Sequence, residues 1–336
     1  MSISTIIPNY NRETLVGETI SNLLAQTMPP NEIIVVDDGS TDKSVDVISS
    51  FGNKVKLIQQ SNQGPGAARN AGLRIATGEF IQFQDSDDLL SLNKLETQAK
   101  LLEKTGADIA FSPWVKLKIE GRNAVLEDHV LQQAMPSEKL TLSSWWLRGW
   151  STVFQSLLFR RSFLAKIGPY RADLKMGEDG ELFFRAITSS VRVAFTADAL
   201  TLYRLHNVNK LTQDEGAPQV QRVVDWALCL SCMIERSESS HLKMDFLTRS
   251  IFLSGIRKHL RYLKKIPDAP PELTDKLSNY AKQLPDVWLS MIEDWLRMRE
   301  QYRLRVRGSR WMPAYQAGPL TENQRNLIRQ LNFQLS

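Results

Sequence analysis

The sequence predicts an α/β fold, a mostly parallel sheet flanked by helices on both faces, followed by an α-helical C-terminal appendage. Over the first 111 residues, short β-rich apolar runs alternate with helix-like segments, the signature of a parallel sheet covered on both sides. Beyond residue 211 the pattern turns helical and is punctuated by Pro267, Pro270, Pro271 and Pro285. A third observation is composition: 42% apolar and 24% charged residues are ordinary for a folded chain, which excludes disorder as the main state. The length of 336 residues exceeds one small domain, and the change of pattern places a boundary near 210–217, giving regions 1–210 and 211–336.

The elements follow in order. Strands are expected at 3–7, 33–37, 55–59, 80–84 and 108–111, with helices near 13–26, 41–50, 65–76 and 92–104. Residues 112–210 are less regular. They hold strand-like stretches at 114–119 and 123–127, a Trp-rich segment at 144–150, a strand at 153–159, a helix at 178–188 and strands near 191–196 and 199–205. Helices at 217–236, 242–265, 272–283, 286–305 and 321–333 complete the chain.

Charge and cysteine usage narrow the function classes. The net charge is +5, yet residues 1–210 balance 23 basic against 23 acidic side chains, so the whole excess falls after residue 210. There, Arg257, Lys258, Arg261, Lys264 and Lys265 alternate with Ile256, Leu260 and Leu263. Arg297, Arg299, Arg303, Arg305, Arg307 and Arg310 surround Trp295, Tyr302 and Trp311. A solvated helix face explains such a pattern, and peripheral contact with anionic lipid is the next reading. No helix-turn-helix, RNA-binding or zinc motif accompanies the charge, so nucleic acid is not an expected partner. Cys229 and Cys232, the only cysteines, cannot make a four-ligand zinc site and sit in an apolar helical run. With no disulfide framework, no long apolar run and no basic leader, a cytoplasmic location is expected, peripheral at the inner membrane face if the basic helices dock there.

In open α/β sheets ligands bind beyond the carboxyl ends of the strands. The second strand ends in Val35-Val36-Asp37-Asp38-Gly39-Ser40, a good turn and helix cap, and also a carboxylate at a strand tip. The fourth ends in Asp85-Ser86-Asp87-Asp88. Three carboxylates in four positions repel unless a cation joins them, and a hard divalent ion, Mn²⁺ or Mg²⁺, takes such oxygens together with phosphate. The run Gly64-Pro65-Gly66-Ala67-Ala68-Arg69 approaches G-x-G-x-x-G, but Arg69 replaces the third glycine and the run follows the third strand, which speaks against a dinucleotide-dependent dehydrogenase.

These blocks, together with Ser4-Thr5-Ile6-Ile7-Pro8-Asn9-Tyr10-Asn11-Arg12, Leu157–Gly168, Gly177-Glu178-Asp179 and Tyr203-Arg204-Leu205-His206, resemble family-2 glycosyltransferases of the GT-A fold over residues 2 to about 210. The resemblance implies a nucleotide-sugar donor, a divalent metal and inversion at the anomeric carbon, with a glycan or lipid-linked acceptor. By position, Tyr10 resembles the aromatic that stacks on the donor base, with Pro8 beside it, and Asp38 the acceptor of the base N–H. Arg69 matches the arginine near the nucleotide and diphosphate. Asp85 matches the ribose-side acid of the D-x-D motif, and Asp87 its metal ligand. Asp179 resembles the general base, and His206 the histidine near the diphosphate and a second metal candidate. The rival readings are a sugar-phosphate nucleotidyltransferase, which needs a glycine-rich basic loop after the first strand where Pro8-Asn9-Tyr10 stands, and a non-catalytic nucleotide-sugar-binding module.

Overall fold

The computed structural model describes residues 1–120, 123–126, 130–131, 142–143, 153–206, 217–283 and 317–335. Its strands are β1 (Ile3–Asn9), β2 (Glu32–Asp37), β3 (Lys56–Gln59), β4 (Phe80–Phe83), β5 (Leu89–Leu90), β6 (Ile109–Phe111), β7 (Trp114–Glu120), β8 (Asn123–Leu126), β9 (Val130–Leu131), β10 (Leu157–Arg160), β11 (Val193–Phe195), β12 (Thr201–Leu205), β13 (Ala317–Gly318) and β14 (Gln334–Leu335). Its helices are α1 (Val16–Leu24), α2 (Ser44–Ser49), α3 (Pro65–Ile75), α4 (Lys94–Thr105), α5 (Arg161–Ile167), α6 (Glu178–Ile187), α7 (Ala217–Ser239), α8 (Phe246–Leu263), α9 (Pro271–Ala281) and α10 (Glu322–Arg329).

The main sheet runs β11-β6-β10-β4-β1-β2-β3. β1 pairs in parallel with β2 and β4, and β2 with β3, while β10 alone runs antiparallel between β4 and β6. Alternation along each strand sends side chains to two faces. Ile3, Ile7, Ile33, Val35 and Leu158 meet Val16, Ile20 and Leu23 of α1 and Leu95, Ala99 and Leu102 of α4 on one face. Ile6, Ile34, Val36, Ile81 and Phe159 meet α3, α5 and α6 on the other. Burial on both faces is why these strands read as continuous apolar runs. α3 lies directly on β1: a Cβ at Gly72 would stand 2.5 Å from Cγ2 of Ile6.

The apolar layer beneath α6 continues into the C-terminal helices. Phe183 and Phe184 share one cluster with Ala227, Cys229 and Met233 of α7 and Phe252 and Ile256 of α8, and the Phe184 and Phe252 rings stack at 6.4 Å. Cys229 and Cys232 are free and buried, as their apolar setting suggests.

A second sheet, β13-β9-β7-β12-β5 with β8 and β14 alongside, was not expected. Beyond the C-terminal helices, residues 317–335 also contribute two short strands to it. β13 pairs with β9 and β14 with β8, and Leu327 and Ile328 of α10 pack on Val115, Leu117, Leu200 and Leu202. The helix expected at 321–333 ends at Arg329, before β14. The strand expected at 153–159 is interrupted by a 3₁₀ turn, Phe154–Ser156, and the paired strand is Leu157–Arg160. The Trp-rich segment 144–150, the helix at 286–305 with its arginines, and most of the boundary at 210–217 lie outside the described residues.

Glu32 ties the sheet's edge to the loop before β4. It accepts hydrogen bonds from Ser4 Oγ, Thr77 N (2.6 Å) and Thr77 Oγ1 (3.0 Å), with Lys56 Nζ at 2.6 Å. Burial pushes its pKa up, but these donors outweigh it and bring it down to about 2. A folded pKa below the unfolded one near 4.5 gives stability that is present above about 4.5 and lost as pH falls toward 2. Glu32→Gln is expected to cost about 1–3 kcal/mol at pH 7 and much less at pH 3, measured by urea unfolding at both values.

Candidate active site

The carboxyl ends of β1, β2 and β4 converge as the sequence requires. β1 delivers Pro8, Asn9 and Tyr10. Asn9 lies opposite Asp37 in the ladder and donates to its Oδ1 at 2.9 Å, and Asp38 N–H donates to Asn9 O at 2.8 Å. Tyr10 is 44% exposed at this tip, free to offer a ring face. Asp38 is buried. Its Oδ1 accepts from Gln60 Nε2 (2.7 Å) and Gln63 N (2.9 Å), and its Oδ2 from Gly64 N (2.8 Å). The expected base-binding carboxylate therefore also anchors the 60–64 loop that starts α3, and Oδ2 retains acceptor capacity.

Arg69, expected near the nucleotide and diphosphate, lies among acids at the strand ends. It is 3% exposed, and its two terminal nitrogens meet three carboxylates, Asp85 Oδ1 at 2.9 Å, Glu178 Oε1 at 2.9 Å and Asp179 Oδ1 at 3.3 Å, while its Nε has no hydrogen-bond partner among the described residues. α3 carries it beneath the strand ends, and a buried cation needs such partners. Burial works against its charge, but the surrounding acids hold its pKa well above the usual value.

One oxygen each from Asp85, Asp87 and Asp88 lies within 4.8 Å of the others. Their environments differ. Asp88 is fully buried; it accepts from Arg204 N at 2.7 Å and from Gln155 Nε2, and burial with its acidic neighbours pushes its pKa well up. It holds β12 in place. Asp85 and Asp87 keep part of their side chains exposed, 32% and 20%, at the strand ends. Burial pushes Asp87 up, but His206 Nε2 (3.0 Å) and Arg12 Nε (3.1 Å), both on Oδ2, outweigh it and keep the carboxyl below its usual range. His206 follows β12 directly, so the second sheet brings it to the D-x-D loop. Its Nδ1 is buried with no hydrogen-bond partner among the described residues. Two partly exposed carboxylates and an imidazole suit a divalent cation.

Asp179 stands in the first turn of α6, after Gly177, whose φ of +79° makes the sharp entry that glycine permits. A Cβ on Gly177 would lie 3.2 Å from Cys229 Sγ, so α7 backs this turn. A third of the Asp179 side chain, 34%, is exposed. Burial raises its pKa to about 7 against the pull of Arg69, with Glu178 and Asp85 adding to the rise. A carboxylate poised there suits proton abstraction near neutral pH. Glu178, nine-tenths or more buried and facing Arg69, has no such opening.

Sequence reasoning missed Arg12, Arg204 and Tyr170. Arg204 reaches Glu18 of α1 and the Asp87 carbonyl, and Tyr170 OH donates to Asp179 Oδ1 at 3.0 Å. Arg12 and Arg204 lie inside quoted motif blocks, but their partners are 75 or more residues away in sequence.

A mostly parallel sheet covered on both faces, with clustered carboxylates at its strand ends, is the frame of the GT-A nucleotide-sugar transferase class. The profile described as Glycosyl transferase family 2 matches residues 4–168, and the chain belongs to that family. The chain is 25% identical over 299 residues to poly(ribitol-phosphate) beta-N-acetylglucosaminyltransferase TarS of Staphylococcus aureus, covering 85% of this chain and 50% of TarS. It is 30% identical over 223 residues to the glycosyltransferase EpsJ of Bacillus subtilis, covering 63% of each. The chain thus spans about half the length of TarS. The crystal structure of S. aureus TarS 1–349 in complex with UDP-GlcNAc superposes with a TM-score of 0.62 at 19% identity, covering 96% of this chain and 97% of that one, and shares the fold.

Proposed function

We propose that this chain transfers a sugar from a nucleotide-diphosphate sugar, UDP-linked, to an acceptor hydroxyl on a glycan or lipid-linked acceptor, with inversion. The observation that carries the reading is Arg69, which bridges Asp85 of the D-x-D cluster and Asp179 and so sets a base beside a cation site. Asp179 takes the acceptor proton as the hydroxyl attacks. Asp85 and Asp87, with His206, would hold Mn²⁺ or Mg²⁺, which when bound supplies positive charge against the leaving diphosphate. Pro8, Tyr10 and Asp38 receive the nucleoside. The TarS complex with UDP-GlcNAc supports the uridine donor. A nucleotidyltransferase is disfavoured, since Asn9 and Tyr10 occupy the place of its glycine-rich loop.

The reading extends to the C-terminal region. Among the described residues no helix is long and apolar enough to cross a membrane. Lys258, Lys264 and Lys265 are exposed around α8 while Ile256, Leu260 and Leu263 are buried, which supports peripheral contact with an anionic surface at a cytoplasmic face.

A panel of UDP-, GDP- and dTDP-sugars with Mn²⁺, read by nucleoside diphosphate release and thermal shift, tests the assignment. Release from a UDP-sugar is expected; silence across the panel would sink it. The reaction needs Asp179 ionised, so the rate should fall on the acid side through a limb near pH 7, flattening above it. A pH-rate profile without that limb removes Asp179 from the base role.

A further inference from the structure

Behind the base lies a residue that no motif announces. Tyr170 is 3% exposed. Its backbone is locked to α3 by a reciprocal pair, Tyr170 N–H to Asn70 Oδ1 at 2.9 Å and Asn70 Nδ2 to Tyr170 O at 2.8 Å. Its ring meets Phe83 edge-on at 5.2 Å and lies 5.9 Å from Phe154, and the Arg69 guanidinium sits 5.3 Å from its centroid. A ring held this way keeps only its hydroxyl rotor, and that hydroxyl donates to Asp179 Oδ1 at 3.0 Å. Burial, with Asp179 adding to it, pushes the phenol well above its usual range, so it remains a donor at any working pH.

The two oxygens of Asp179 are thereby unequal. Oδ1 carries the Tyr170 hydroxyl and Arg69 Nη1 at 3.3 Å. Oδ2, among the described residues, has only a long 3.5 Å approach from Arg69 Nη2. We propose that Tyr170 is a positioning residue for the transfer reaction: it fixes the Asp179 carboxylate through Oδ1 so that Oδ2 faces the acceptor hydroxyl and takes its proton. This rests on the reading of Asp179 as the base. In the step, the acceptor O–H bond breaks and an Oδ2–H bond forms. The acceptor oxygen bonds to the anomeric carbon as the carbon–oxygen bond to the diphosphate breaks, and the diphosphate leaves with the electron pair.

The groups facing Asp179 are Arg69 from α3, Asp85 from the loop after β4, Glu178 beside it on α6, and Tyr170. Only Tyr170 can be altered by one atom while the other three keep their partners. Tyr170→Phe is expected to lower kcat about tenfold with the donor KM within about twofold of its starting value. The acid limb should also move to higher pH, because a hydrogen bond to the ionised form is lost. If Tyr170→Phe folds poorly, 3-fluorotyrosine at position 170 keeps the ring and strengthens the donor, and the limb should move to lower pH. An unmoved limb in the folded variant overturns the proposal. Asp179→Asn separates the two levels. If it still turns over, the base reading fails and takes this inference with it. If it is inactive while Tyr170→Phe leaves the limb in place, only the positioning role fails.

Discussion

Asp179→Asn is expected to lower transfer by about 10²- to 10⁴-fold, the usual contribution of a positioned general base, while the thermal shift induced by a UDP-sugar persists. The substitution keeps shape and removes charge. Tyr170 OH can still donate to the amide oxygen at position 179, and Arg69 keeps Asp85 and Glu178, so the buried guanidinium is not left uncompensated. The fold should not suffer. With the folded pKa raised to about 7 from 3.8, the native state binds more protons than the unfolded one across that window, so the wild type loses stability as pH rises through it. The variant escapes this loss, and its Tm at pH 8 is expected to match or exceed the wild type. Preserved turnover would remove Asp179 from the base role, and a lost donor shift would make it a binding residue. A lowered Tm at pH 8 would show that its charge is needed by the Arg69 cluster.

The contrast between Asp179 and Arg69 shows what the sequence could carry. Strand ends in a parallel sheet are legible, because a doubly buried strand is an apolar run and its end is a change to polar residues. Asp38, Asp85 and Asp87 are read in that way, and they follow the carboxyl ends of β2 and β4, the two strands that flank β1. Roles set by burial were not legible. Arg69 reads as a phosphate ligand because a cation follows a glycine-rich turn. Only the fold shows that α3 buries it under Asp85, Glu178 and Asp179. Asp88 likewise looks equal to its two neighbours, yet it is the one turned inward to Arg204 and Gln155. The second sheet escaped for another reason. β5, β9, β13 and β14 are two residues each, too short for any periodicity, and β13 and β14 find partners about two hundred residues away. Tyr170 gave no signal, since Gly168-Pro169-Tyr170 reads as a turn and its partners come from α3 and α6.

A chain ending at residue 210 is expected to lose cooperative folding, and donor binding with it, rather than only its acceptor or its location. The charge arithmetic alone suggests the opposite, since residues 1–210 are neutral and the whole +5 lies beyond them, as though an appendage could be detached. Packing decides the matter. Leu182, Phe183, Phe184 and Ala186 of α6 are at most 1% exposed, and α7 and α8 supply Ala227, Met233, Phe252 and Ile256 to the same cluster. Returning a large apolar side chain to water costs about 1.5–3 kcal/mol. Three or four such side chains approach the whole stability of a domain, about 5–15 kcal/mol. The loss also falls on the catalytic helix itself: the turn at Gly177 that starts α6 rests on Cys229 and Trp226 of α7. Residues 317–335 add a second dependency, because α10, β13 and β14 complete the sheet whose β12 brings His206 to Asp87. Near-UV circular dichroism and thermal unfolding of the truncated chain, with and without UDP-sugar and Mn²⁺, measure the effect. A sharp transition that donor still shifts would show that 1–210 is an autonomous catalytic unit. A broad, donor-insensitive one is expected, because helices that carry much of the excess charge also form the floor under the base.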